Sequence, residues 1–349
     1  MVGEVPLTKG KADYGADRVI YHRRDLHALL LHAATAAPPA RPHTPAALRL
    51  RARVVECDAE AGSVTLAGGG DGQGTTTTTL TADLIVAADG IHSALRATVL
   101  DDAAAMAVAV PTGLAAYRFT IPIARLRAAC PAFAARIDPA APYTSMVVGD
   151  GRDDVRRLVM GPCRTDAGDR DAGEYAVVGL VPDDDDHHHH RSLTKAEEEE
   201  GGPDGGTGRR RFTTSWNSEG SIEALNEAYR DFPEWVTGMF GAVEGPVGLW
   251  QLRDLEPLAR WRRGRVVLVG DAAHAMLPTQ GQGASQSVED AEALGAVFED
   301  VESWVDGEEV GRRLDEMVAC RYERATLIQA YSRQAARPAT NGMDGKVTL

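Results

Sequence analysis

The chain has 349 residues, 44% hydrophobic and 25% charged, ordinary for a globular protein and long enough to bury a large core. A formal net charge of −14 argues against nucleic acid or an anionic membrane as partner, since neither attracts such a surface. The N-terminus lacks an apolar signal core, no run approaches the ~18 apolar residues of a membrane span, and Cys57, Cys130, Cys163 and Cys320 form no CxxC pair. We therefore expect a reduced, cytoplasmic protein.

A first helix is predicted over about residues 24–34, where Leu26, Leu29, Leu30, Ala33 and Ala34 share one face and Pro38 and Pro39 end the pattern. Leu48–Cys57 and Ser63–Leu66 read as a strand hairpin, and Gly68–Thr79 as a loose surface loop. Leu84–Ala88 is an apolar strand that ends in Asp89-Gly90, with a helix from about Ser93. From about Ala107 to Leu249 the character changes. Ala115–Ile121, Ser145–Val148, Arg157–Met160 and Tyr175–Val181 are β-rich runs between turn residues, predicting an antiparallel sheet in its own lobe, with a helix near Ser221–Phe232. Within that lobe, residues 183–208 (four Asp, four His, then a Glu- and Gly-rich stretch) read as a disordered insertion rather than a metal site. Val266–Val269 restores α/β character, and helices follow over about 284–301 and 310–333.

Gly270-Asp271 directly follows that last apolar strand, and Pro278, Gly281 and Gly283 lie between it and a helix N-terminus. In open α/β sheets, ligands bind off the carboxyl ends of strands, beside helix N-termini. A carboxylate there repels phosphate but accepts hydrogen bonds from sugar or polyol hydroxyls. Asp89-Gly90 repeats the arrangement at another strand end, with Ser93 and Arg96 one turn on. We expect a nucleotide-cofactor lobe formed by residues 1–103 and 252–349, around a β-lobe of residues 104–251.

Residues 264–295, GRVVLVGDAAHAMLPTQGQGASQSVEDAEALG, resemble the C-terminal FAD motif of the aromatic-ring flavoprotein monooxygenases, the family of p-hydroxybenzoate and salicylate hydroxylases. The resemblance implies an α/β, glutathione-reductase-like three-layer FAD-binding domain with an antiparallel β-sheet substrate lobe inserted. It implies that Gly270-Asp271 binds the ribityl chain and that Pro278, Gly281 and Gly283 line the isoalloxazine ring. ADLIVAADGIHSALR, residues 82–96, resembles the family's Asp-Gly motif, implying FAD and NAD(P)H binding by Asp89, Gly90, Ser93 and Arg96. Arg23, in Arg23-Arg24-Asp25-Leu26, matches the Arg that reaches toward the FAD pyrophosphate or ribityl region. Tyr117 and Arg118 match a lobe-boundary motif and are the candidates for facing substrate. His274 is read as packing or orienting its loop.

The implied activity is hydroxylation of a phenolic or other aromatic small molecule. NAD(P)H reduces FAD, dioxygen adds at C4a, and the hydroperoxide passes an OH to the ring. An epoxidase or other secondary-metabolite oxidase on the same scaffold, and an inactive remnant of the family, are the alternatives. The family's Gly-x-Gly-x-x-Gly turn has no counterpart in the sequence. We therefore expect a domain lacking its first βαβ unit, with FAD affinity lowered by orders of magnitude. Substrate, nicotinamide preference and oligomeric state leave no signature.

Overall fold

A computed structural model describes residues 2–6, 11–12, 15–16, 19–36, 44–67, 77–100, 109–149, 154–166, 168–183, 217–301 and 306–338. In chain order the elements are β1 (Val2–Pro6), α1 (Arg23–Thr35), β2 (Val54–Asp58), β3 (Ser63–Leu66), β4 (Thr78–Thr81), β5 (Ile85–Ala87) and α2 (Arg96–Leu100). There follow β6 (Val110–Pro122), α3 (Ile123–Ala129), β7 (Tyr143–Val148), β8 (Arg157–Thr165), β9 (Gly173–Pro182), β10 (Asn217–Gly220), α4 (Ile222–Ala228) and β11 (Val247–Asp254). The last are β12 (Arg262–Arg263), β13 (Val266–Leu268), α5 (Asp271–His274), α6 (Gly283–Val297) and α7 (Gly307–Ala335). The chain divides into two units, Met1–Leu30 with Gly113–Leu252, and Leu31–Thr112 with Arg253–Leu349.

The first unit is built on a seven-stranded sheet ordered β1-β7-β8-β9-β6-β11-β10. Alternation along β6 buries Tyr117, Phe119 and Ile121 on one face and leaves Arg118 and Thr120 exposed on the other. The buried face packs against Leu126 of α3, Leu225 of α4 and Phe240. Ser221 caps α4 by accepting from the Ala224 N–H at 3.0 Å. The fully buried Tyr229 donates its hydroxyl to the Leu180 carbonyl at 2.7 Å, so the helical layer is tied to β9 by a hydrogen bond as well as by apolar contact.

In the second unit β13 pairs in parallel with β5 and antiparallel with β12, while β2, β3 and β4 form a separate antiparallel sheet. All three residues of β13 are fully buried. Val266 and Leu268 pack with Leu255, Trp261 and Ala272, whereas Val267 packs with Val310, Leu314 and Met317 of α7. Cover on both faces is why the strand reads as an unbroken apolar run, and each such side chain contributes about 1.5–3 kcal/mol.

The second unit resumes at Arg253, and Met1–Leu30 groups with the β unit rather than with residues 31–112. The cause is β1, which pairs antiparallel with β7 from Val2–Val147 to Pro6–Tyr143. The predicted apolar face of α1 is not a core face: no residue of the helix is buried, and Leu29 and Leu30 are 61% and 58% exposed. Beyond Asp183, the expected low-complexity insertion lies outside the described residues, as do residues 68–76 of the glycine–threonine loop. Among the described residues, no helix is long and apolar enough to cross a membrane.

Candidate cofactor-binding site

Parallel pairing sets Ile85, Val86 and Ala87 opposite Val266, Val267 and Leu268, and the Val269 N–H donates to the Ala87 carbonyl at 3.1 Å. Both strands therefore leave the sheet together, and Asp89-Gly90 and Gly270-Asp271 emerge side by side. Arg96, 5% exposed, joins them. Its Nε donates to the Ala272 carbonyl at 2.9 Å and Nη1 to the Ile91 carbonyl at 3.0 Å. Nη2 reaches the carbonyls of Gly90 and Asp271 at 3.3 and 3.2 Å. Burial lowers the Arg96 pKa, against the pull of Asp89 and Asp271. Asp89 Oδ2 accepts from the Ala94 and Leu95 N–H groups at 2.7 and 3.3 Å, and Ser93 Oγ accepts from the Arg96 N–H at 3.0 Å. These side chains build the turn from within.

Gly270 lies at φ 58°, a region disfavoured for residues with a Cβ, and a Cβ there would stand 2.8 Å from Ser287 Oγ. Asp271 follows as the first residue of α5 and is open to solvent. Partial withdrawal of its carboxyl group from water raises its pKa, and attraction to His274 and Arg96 offsets only part of that. The described residues donate it no side-chain or backbone hydrogen bond, so its oxygens remain available as acceptors. Pro278–Gln280 form a 3₁₀ turn closed by Gly281 at φ 66°, and a Cβ on Gly281 would meet nothing within 4 Å. α6 then starts at Gly283 with no side-chain cap on its N-terminal N–H groups. An unbonded carboxylate, an open glycine turn and an uncapped helix start fit a polyol chain joined to a flat, carbonyl-bearing ring. FAD has both.

The chain is 30% identical over 337 residues to hispidin-3-hydroxylase of Neonothopanus nambi, covering 93% of this chain and 68% of that enzyme. The chain belongs to the FAD-dependent aromatic-ring monooxygenases. The model of the FAD binding domain family matches residues 249–330, a stretch containing both Asp271 and the glycine turn. Salicylate hydroxylase of Pseudomonas putida is 30% identical over 260 residues, 72% of this chain and 50% of that one. Among solved structures, a salicylate hydroxylase substrate complex superposes with a TM-score of 0.64 at 26% identity, covering 93% of this chain and 68% of its own. This monooxygenase homologue thus spans 68% of the length of the first of these relatives and 50% of the second.

Three predicted residues of this family member lie in the other unit. Arg23 opens α1 and is exposed; beside it Asp25 pairs with Arg164 through both carboxylate oxygens, each at 2.7 Å from Nη2. Tyr117 is fully buried in the core of the β unit. Arg118 lies on the opposite face, its guanidinium 5.6 Å from the centre of the Trp250 ring. Desolvation lowers the Arg118 pKa, and no carboxylate pairs with it among the described residues. Of the two candidates, only Arg118 is open to a ligand.

Sequence reasoning missed Asp290 and Arg321. Asp290, on α6 and fully buried, accepts the Gly270 N–H at 2.8 Å and meets His274 Nε2 at 2.7 Å through Oδ2. Its Oδ1 accepts from Arg321 Nε at 2.9 Å. Burial pushes the Asp290 pKa up, but His274, the Gly270 N–H and Arg321 outweigh it and hold the group below the ordinary aspartate range. The available signal was Gln286 and Asp290, an i, i+4 polar pair and the two buried residues of α6. His274 packs against Trp261, ring centres 4.9 Å apart.

Proposed function

We propose that this chain binds FAD and works as a hydroxylase of phenolic or other aromatic small molecules, with NAD(P)H as reductant and dioxygen as the source of the inserted oxygen. The observation that carries it is Asp271, an unbonded carboxylate at the carboxyl end of a parallel strand pair, directly before the open Gly281 turn. FAD, when bound, supplies the redox chemistry that activates dioxygen for transfer to the ring. Asp271 accepts from the ribityl hydroxyls. Pro278, Gly281 and Gly283 would let a planar ring approach the backbone, and the uncapped N-terminus of α6 would offer it N–H donors. Gly90 leaves room at the neighbouring turn, which Asp89, Ser93 and Arg96 hold in shape.

We assign cofactor binding to the unit that carries both turns and substrate binding to the β unit, in a cytoplasmic setting that keeps the four free cysteines reduced. On the β unit, Arg118 orients the substrate through a ring hydroxyl or acid group, while Tyr117 supports the sheet beneath it. The test is fluorescence titration of the purified chain with FAD, followed by NADH and NADPH oxidation against a panel of phenolic acids. We expect saturable flavin binding that Asp271→Ala weakens at least tenfold, and oxidation that a subset of phenols accelerates. Flavin binding equal in wild type and Asp271→Ala removes Asp271 from the site; no flavin binding at all refutes the assignment.

A further inference from the structure

Asp290 gathers three donors at two oxygens, and all three belong to different elements. The Gly270 N–H comes from the turn itself, His274 from α5 and Arg321 from α7. None of these groups is solvated: Asp290, His274 and Arg321 are 0%, 1% and 4% exposed. Arg321 is held in turn by Gln286 Oε1 at 2.7 Å and by Glu289, which also pairs with Arg324. An ionised Asp290 selects the His274 tautomer that carries its proton on Nε2, and His274 Nδ1 has no hydrogen-bond partner. Gly270 therefore depends on a carboxylate twenty residues further along the chain to hold its left-handed conformation.

The geometry points to Asp290 as a positioning residue: its buried carboxylate fixes the Gly270 turn and thereby the direction in which Asp271 is presented. Asp271 and Asp290 then divide the labour of one site. Asp271 offers acceptors outward, and Asp290, through Gly270 and His274, prevents the turn from rotating those acceptors away. Asparagine cannot replace Asp290. It accepts at one oxygen and donates at the other position, so at least one of the three buried donors loses its acceptor. The consequence for FAD rests on the assignment of Asp271 to the ribityl chain; the consequence for the turn does not.

Hydrogen exchange of the full chain separates the two. In Asp290→Asn we expect the amides of residues 270–274 to exchange at least tenfold faster than in wild type, with β13 and the middle of α7 unchanged. FAD affinity should fall at least tenfold in the same variant. Arg321→Lys, which keeps a cation opposite Oδ1, should retain near-wild-type exchange and affinity, whereas Arg321→Met should behave like Asp290→Asn. Unchanged exchange at the turn, exchange that rises equally throughout the unit, or a lysine variant no better than methionine overturns the positioning role. A wild-type chain that binds no FAD, yet shows the local exchange difference, refutes the cofactor assignment and leaves Asp290 as the residue that orders the turn.

Discussion

Replacing Arg96 by methionine keeps most of the buried aliphatic stem and removes every donor. Of the four carbonyls it reaches, those of Ala272 and Ile91 are met at 2.9 and 3.0 Å, and those of Asp271 and Gly90 at 3.2 and 3.3 Å. Counting only the two shorter bonds, each a hydrogen bond from a charged donor worth about 1.5 kcal/mol at the low end, the loss is about 3 kcal/mol. That is a ~150-fold shift in the folding equilibrium. Urea denaturation followed by circular dichroism reads it directly, as a lower midpoint at unchanged slope. Because the donors are spent on the protein's own turns, the loss should be the same with and without added FAD. A loss below about 1 kcal/mol, or one that appears only when FAD is present, would show that Arg96 serves the cofactor rather than the fold.

Gly270→Ala should cost about 2 kcal/mol, from a Cβ at positive φ and from the approach to Ser287 Oγ; thermal melts of Gly270→Ala with and without Ser287→Ala separate the two, and a double variant no better than the single assigns the cost to the backbone. Asp271 and Asp290 should respond oppositely to pH. The raised pKa of Asp271 makes its contribution favourable in acid and lost as pH rises through its folded pKa, so Asp271→Asn should stabilise the flavin-free protein at neutral pH and not below the carboxylate range. The depressed pKa of Asp290 gives stability present above the ordinary aspartate range and lost as pH falls through its folded pKa, so Asp290→Asn should flatten the acid limb of the stability curve; an unchanged limb would refute this. Tyr229→Phe should cost about 1 kcal/mol by loss of its bond to the Leu180 carbonyl, measured by urea midpoint, and an unchanged midpoint would show that bond to be idle.

β13 and the long helix α7 were legible because their residues carry their own pattern: a doubly covered strand is an apolar run, and α7 repeats its buried positions at helical spacing; β1, β10 and the short β12 carry no such pattern and were not. The glycine turns were legible for the same reason, since the strand, the turn and the helix start are contiguous. Tertiary partnership was not. Asp89 and Arg96 carry a cofactor motif in the sequence, but that they also bond backbone groups of their own and the neighbouring turn depends on β5 and β13 lying side by side. Asp290 and Arg321 stand thirty-one residues apart on two helices, and only the packing of those helices shows that they meet. The apolar stripe of α1 is equally real in the sequence, but a stripe states what a helix could bury and not whether anything covers it.

The longest helix has a bearing on how this chain tolerates change. α7 touches three points of the segment opposite it, one on α6 and two on the loop before it: Arg321 meets Asp290, Gln329 donates to the Ala275 carbonyl at 3.0 Å, and the Ser332 carbonyl accepts from Thr279 at 2.6 Å. At 1.5 Å per residue these points are about 12 and 4.5 Å apart along a rigid rod. The rod works as a gauge against which the loop is cut to length. One residue inserted between Arg321 and Gln329 would turn every later contact by about 100°, so this stretch should accept substitutions far more readily than any change in its number of residues.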